Sequence, residues 1–227
     1  MSFDFLYQPV EHLDGSLTGL FDGAGLLVAL ALAFLLGLRH ASDPDHLVAV
    51  SALVASDEPG TREAARLGTW WGAGHAVTLL AVGLPLIAFA AELPSWLETG
   101  AERAVGVVIL VLAARMLLTR RRRSRHEEPA PTHIRGRRAA FAIGVLHGLA
   151  GSGTVAVLLI TALPTQLGAA AALAVFAPMS AVSMTACTAG FAWIIGRPRL
   201  GRTFDAAILP ALGAISLLFG AWYAGVA

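Results

Sequence analysis

A chain of 227 residues that is 56% hydrophobic and 14% charged is excluded from being a water-soluble globule, because soluble domains carry about a quarter charged residues and too little polar surface remains here to cover one. Mean hydropathy is +0.70. The net charge of +1 is uninformative until the charges are placed along the chain, no nucleic-acid partner is expected, and the single cysteine, Cys187, excludes an internal disulfide.

In chain order, residues 1–23 scatter Phe, Leu and Val among acids and carry no Lys or Arg, so the positive stretch of a secretory signal is missing. They are expected to form an extracytoplasmic segment lying on the outer surface as an interfacial helix. Six long apolar runs follow, roughly Ala24–Ala55, Leu67–Ala90, Gly100–Leu118, Ala139–Leu163, Leu167–Ile195 and Phe204–Ala224. About 20 helical residues cross a hydrocarbon core, and none of these runs shows the alternation of a membrane β-strand. The expected fold is therefore all-α, a polytopic membrane protein with six transmembrane helices.

Arginine placement sets the orientation. All sixteen basic residues are Arg, and thirteen lie in the connections after the first, third and fifth spans. Basic residues near span ends favour the cytoplasm. The other side carries Glu92, Glu98 and Glu102 with the N-terminal acids, against Arg103 alone. Both termini are thus expected outside an inner (plasma) membrane. Trp70, Trp71 and Trp193 near inner ends, and Trp96, Trp222 and Tyr223 near outer ends, fit interfacial belts. The basic loop 119–138 contains His126 and His133, which read as solvated rather than metal-sensing.

The chain also matches itself at an offset of 107, with Gly37-Leu38-Arg39-His40 over Gly144-Val145-Leu146-His147 and Val48-Ala49-Val50 over Val155-Ala156-Val157. Three helices per repeat make the halves inverted, an architecture common in secondary transporters, with substrate bound at interrupted helices near the midplane. The expected organisation is 24–118 as the first three-helix repeat and 139–227 as the second. Interruptions are expected at Asp43-Pro44-Asp45 and at Gly148 with Gly151-Ser152-Gly153.

Within the first span lies Arg39-His40-Ala41-Ser42-Asp43-Pro44-Asp45-His46, flanked by apolar residues. A charge at the centre of a membrane helix costs about 2.5–3.5 kcal/mol on insertion scales, so such residues read as functional. On an unbroken helix His40, Asp43 and His46 share one arc. Pro44 disfavours helical dihedrals at Asp43 and crowds the His40 carbonyl, so local unwinding would free that carbonyl and swing Asp45 toward the same point. The bland alternative is that Arg39 merely neutralises Asp43 or Asp45. Imidazole and carboxylate donors suit nickel, cobalt and zinc alike. Gly68 and Gly72 form a close-contact face in the second span, which would let His75 face the first. His147 gains weight from its repeat partner His40. Met179, Met184, Thr185 and Cys187 read as helix contacts rather than soft ligands.

Arg39 to Leu47 resembles the signature of the nickel/cobalt transporter family, R-H-A-x-D-A-D-H-[IL], with Pro44 where the family usually has Ala. Leu67-Gly68 through Gly74-His75 resembles its second motif, L-G-x-x-x-S-L-G-H-S, with Gly72-Ala73 for Ser-Leu and Ala76 for the final Ser. The resemblance implies a permease in which His40, Asp43, Asp45, His46 and His75 handle the ion. Family members commonly have eight spans with the signature in the second; six spans resemble the short, urease-associated branch.

The metal set expected is therefore His40, Asp43, Asp45, His46, His75 and His147. Nickel or cobalt is a transported substrate, no cofactor is expected, and the chain is not expected to be an enzyme. The partners are the ion and the lipid bilayer, with homo-oligomerisation left open. The alternative is an intramembrane zinc-dependent hydrolase, since three histidines and an aspartate can hold zinc with an open position; against it, H-E-x-x-H is absent.

Overall fold

The computed structural model describes residues 25–57, 60–124, 136–197 and 208–225. The segment 1–23 and the loop histidines His126 and His133 lie outside the described residues. Among those described there is no strand, and the helices are α1 (Leu26–His40), α2 (Pro44–Asp57), α3 (Thr61–Phe89), α4 (Ser95–Ser124), α5 (Arg137–Ala162), α6 (Gln166–Ile195) and α7 (Leu209–Tyr223). Four stretches among the described residues are long and apolar enough to cross a membrane: Leu26–Val50, Thr61–Phe89, Arg137–Ala162 and Gln166–Ile195. The other two expected spans differ in kind. Helix α4 carries Glu98, Glu102, Arg103 and Arg115, and the apolar helix Pro210–Tyr223 is shorter. These two pack on each other, where a Cβ at Gly106 would lie 2.8 Å from the Cα of Ala224.

The expected interruption in the first span is present between α1 and α2. Pro44 occupies the first helical position of α2, where its missing N–H would have been unpaired in any case. The turn satisfies its own backbone: Ser42 N–H donates to the Arg39 carbonyl at 2.8 Å, and Leu47 N–H donates to the Asp43 carbonyl at 3.0 Å. Ala41 N–H donates to Ser183 Oγ of α6 at 3.2 Å. The His40 carbonyl is not freed as expected, because Asp43 N–H donates to it at 3.1 Å.

No matching break exists in the second half. Helix α5 runs unbroken through Gly148 and Gly151-Ser152-Gly153. A helical glycine costs roughly 1 kcal/mol relative to alanine without ending the helix, and here the missing side chains admit a neighbour instead. A Cβ at Gly148 would lie 2.6 Å from the His75 carbonyl oxygen, and Gly144 meets the Trp71 carbonyl even more closely. On its other side α3 lies against α6, with Gly72 placed so that a Cβ would be 2.8 Å from Ala181 Cα. The Gly68 and Gly72 face therefore contacts α6, not the first span. Helix α3 is the centre of the bundle, held between α5 and α6 by backbones that glycine allows to approach.

Two apolar cores result. One joins α1, α3, α5 and α6 through Leu32, Leu36, Leu79, Leu159 and Leu173. The other joins α2, α4, α6 and α7 to α3 through Val50, Ile109, Met184, Phe219 and Trp71. Trp71 is 1% exposed, so it is a core residue rather than part of an interfacial belt; its neighbour Trp70 faces outward. The site lies between these two cores.

Candidate metal centre

Four elements converge at the α1–α2 break. Helix α1 ends on His40, α2 begins with Asp45 and His46 in its first turn, α3 supplies His75 and α5 supplies His147. His46, His75 and His147 are 2%, 1% and 3% exposed. Burial of three imidazoles beside carboxylates in an apolar bundle needs hydrogen bonds or a ligand to offset it.

The ring nitrogens are arranged in pairs. His40 Nε2 and His75 Nε2 are 3.0 Å apart, so one must carry the proton that the other accepts. His147 Nε2 lies 2.8 Å from Asp45 Oδ2, and His46 Nδ1 lies 3.1 Å from Asp45 Oδ1. The Asp45 carboxylate thus bridges α2 and α5. His46 sits at the middle, its ring centroid 4.5 Å from that of His40 and 4.2 Å from that of His147. Two buried atoms, His46 Nε2 and His75 Nδ1, have no hydrogen-bond partner among the described residues. Buried polar atoms are nearly always paired, which makes these two the natural positions for a ligand outside the chain.

The donors fall into two overlapping sets. His40, His46 and His75 form one, and Asp45, His46 and His147 form the other, each with donor atoms within 4.8 Å of one another. All six residues expected from the sequence gather here, with Asp43 in a different position from the rest. Asp43 Oδ2 lies 2.9 Å from His40 Nδ1 and its Oδ1 lies 3.4 Å from Arg39. It holds the back of the His40 ring, which fixes the tautomer and leaves Nε2 facing the other imidazoles. The Arg39–Asp43 pairing that would have been the bland explanation is present and coexists with the histidine cluster.

A cavity of about 440 Å³ opens onto the cluster, lined by His40, Asp45, His46, His75 and His147 together with apolar residues such as Leu36 and Phe176. Its wall also holds Glu102, Thr154 and Tyr223, which sequence reasoning missed. Glu102 counted there only among the acids of the outer side, and Tyr223 only as an interfacial aromatic. Its signal was its place four residues beyond Glu98, one helical turn deeper. Trp71 was missed as well; its ring lies 5.7 Å from His46 and 5.8 Å from His147, screening the cluster on one side. Met179, Met184 and Cys187 do not line the cavity.

Residues 26–133 match the family model described as NicO, high-affinity nickel-transport protein. The urease accessory protein UreH of Bacillus sp. (strain TB-90) is 31% identical over 148 residues, 60% of this chain and 64% of the relative. The high-affinity nickel transport protein of Cupriavidus necator is 33% identical over 97 residues, 43% of this chain and 27% of the relative. A chloroplast protein of Arabidopsis thaliana named FOR GROWTH AND FERTILITY 1 is 28% identical, over 73% of this chain and 50% of the relative. The chain therefore spans less than two thirds of the length of these curated relatives. No solved structure matches. Over residues 26–133, which carry His40, Asp43, Asp45, His46 and His75, this chain matches the high-affinity nickel-transport protein family.

Proposed function

We propose that this protein moves a divalent transition-metal ion, nickel or cobalt, across a membrane by binding it at the histidine cluster between α1, α2, α3 and α5. The observation that carries the reading is the meeting of His40, His46, His75, His147 and Asp45 in one cavity, with His46 Nε2 and His75 Nδ1 unpaired. Imidazole-rich sites with one carboxylate suit nickel, cobalt and zinc, and availability rather than intrinsic affinity commonly selects among them. The names of the similar proteins favour nickel. His40, His46, His75, His147 and Asp45 are the direct donors, and Asp43 orients His40. Ligation uses the lone pair of a neutral imidazole, so a proton now on a ligating nitrogen, such as the one shared by His40 and His75, must shift to the ring's other nitrogen or leave to solvent as the cation binds.

The same reading takes the chain as two inverted repeats with both termini outside an inner membrane. The offset of 107 supports it, since it carries α1–α2 onto α5, α3 onto α6 and α4 onto α7. The division 24–118, 119–138 and 139–227 follows from that correspondence. An intramembrane zinc hydrolase has less in its favour: the cluster's own carboxylate, Asp45, has both oxygens engaged by His46 and His147, leaving it poorly placed to act as a general base.

The test is nickel and cobalt uptake into proteoliposomes by the full chain, beside His40→Ala and His46→Ala. Saturable uptake lost in both variants supports the reading. Stoichiometric zinc binding with no movement of either metal would overturn it.

A further inference from the structure

The unbroken glycine segment of α5 and the acids of α4 were left without a role by the cluster, and they meet. A second cavity, of about 530 Å³, is lined by Glu92, Glu98, Gly153, Thr154 and Leu158. Thr154 and Leu158 also line the cavity of the histidine cluster, so the two spaces share a wall. Glu98 stands in the second cavity and Glu102, one turn further along α4, stands in the first.

Two features of α5 look shaped to this purpose. Gly153 gives the Glu98 carboxylate its room, since a Cβ there would lie 2.9 Å from Glu98 Oε1. Thr154 Oγ1, the next residue, donates to that same oxygen at 3.3 Å. Gly151 lines the cluster cavity with nothing within 4 Å of where its Cβ would be, so a side chain there would project into open space. Among the described residues no arginine pairs with Glu98 or Glu102. A half-buried carboxylate without a fixed counter-charge is costly next to an apolar core, and a mobile cation offsets that cost. His46 and His75, which carry the unpaired Nε2 and Nδ1 atoms, line the first of these cavities.

We propose that Glu98 and Glu102 of α4, with Gly151, Gly153 and Thr154 of α5, form an acidic passage through which a hydrated divalent cation reaches the histidine cluster. This rests on the transport reading above. Glu98 is the outer station and concentrates cations by its charge. Glu102 is the inner one, where waters are shed before the imidazoles take the ion. Gly151 keeps the passage wide enough for a cation that still holds part of its shell. A cavity at the arginine-rich end of the bundle is lined instead by Arg137, Arg138, Trp70 and Phe141.

The experiment compares nickel uptake into proteoliposomes with equilibrium nickel binding by the same purified full-length chain. Glu98→Gln and Glu102→Gln should each raise the KM of uptake about threefold to tenfold at low ionic strength, while the binding Kd stays within about twofold of wild type. Glu102→Asp should recover most of the loss. Gly151→Leu should cut the maximal rate about tenfold or more with binding kept, by filling the passage. Glu63→Gln, exposed at the other end of α3 and paired with Arg66, should change nothing. Wild-type KM in both glutamine variants would overturn the passage alone. So would a Kd that rises in step with KM, since Glu102 would then belong to the binding site. Absence of uptake by wild type itself would overturn the transport reading, and the passage with it.

Discussion

His40 and His75, separated by 35 residues and carried on different helices, bring their Nε2 atoms to 3.0 Å from each other. Two imidazole nitrogens at that distance share one proton; once that proton shifts to the other nitrogen of its ring, both Nε2 lone pairs face the same point. The contact exists because α1 stops at His40 and because α3 is drawn into the centre of the bundle.

Removing one ring should therefore weaken binding far more than it weakens the fold. His75→Ala and His46→Ala should each reduce nickel affinity about 100-fold or more, given that loss even of an outer-shell partner costs 10–100-fold. Calorimetric titration of the purified chain checks this, with unchanged helical circular dichroism as the control for folding.

Asp43 makes a different prediction. It touches His40 Nδ1 at 2.9 Å and Arg39 at 3.4 Å, and belongs to neither three-donor set. Asp43→Asn should lower nickel affinity by about 10–100-fold without changing the number of metal ions bound. Loss of binding stoichiometry would instead make Asp43 a direct ligand.

Gly148 predicts a coupling between packing and the site. A Cβ there meets the His75 carbonyl at 2.6 Å, so Gly148→Val must push α3 and α5 apart. Overpacking of this kind costs about 1–3 kcal/mol, to be read as a lower melting temperature in detergent. Because His75 sits on the displaced turn, nickel affinity should fall as well. A melting loss with unchanged affinity would mean that α3 yields elsewhere.

Acidification should weaken nickel binding, with the sign set by competition between metal and proton for the same nitrogens. Affinity should therefore fall steadily as pH is lowered, and binding should be accompanied by proton release wherever a ligating ring is still protonated. Calorimetry in buffers of different ionisation enthalpy measures that release directly.

Trp71 offers an optical readout. Its ring lies 5.7 Å from His46 and 5.8 Å from His147, close enough for a paramagnetic ion held there to quench it. Nickel or cobalt should therefore lower tryptophan fluorescence, and Trp71→Phe should remove most of that change although four other tryptophans remain.

Much of this was legible in order along the chain. The apolar runs gave helices at the right places because a chain with so few polar groups can satisfy its backbone in lipid only by helix or closed barrel. The break at Asp43-Pro44-Asp45 was legible for an equally local reason, the proline ring. The second break failed: Gly148 and Gly151-Ser152-Gly153 look like interruptions in sequence, yet glycine is tolerated within a helix when a neighbouring backbone packs against it. Nothing local distinguishes a glycine that ends a helix from one that admits another helix.

The sequence by itself determined the membrane habit, the broken first helix and the residues that could bind a metal, since each follows from composition, proline stereochemistry or the cost of polar groups in lipid. Only the tertiary structure decided which atoms meet. It set His147 on Asp45, placed Asp43 behind His40, buried Trp71 beside the cluster and turned Glu102 into the cavity wall. Those pairings depend on how closely α3 approaches α5 and α6, a distance fixed by glycines facing one another across helices far apart in the chain.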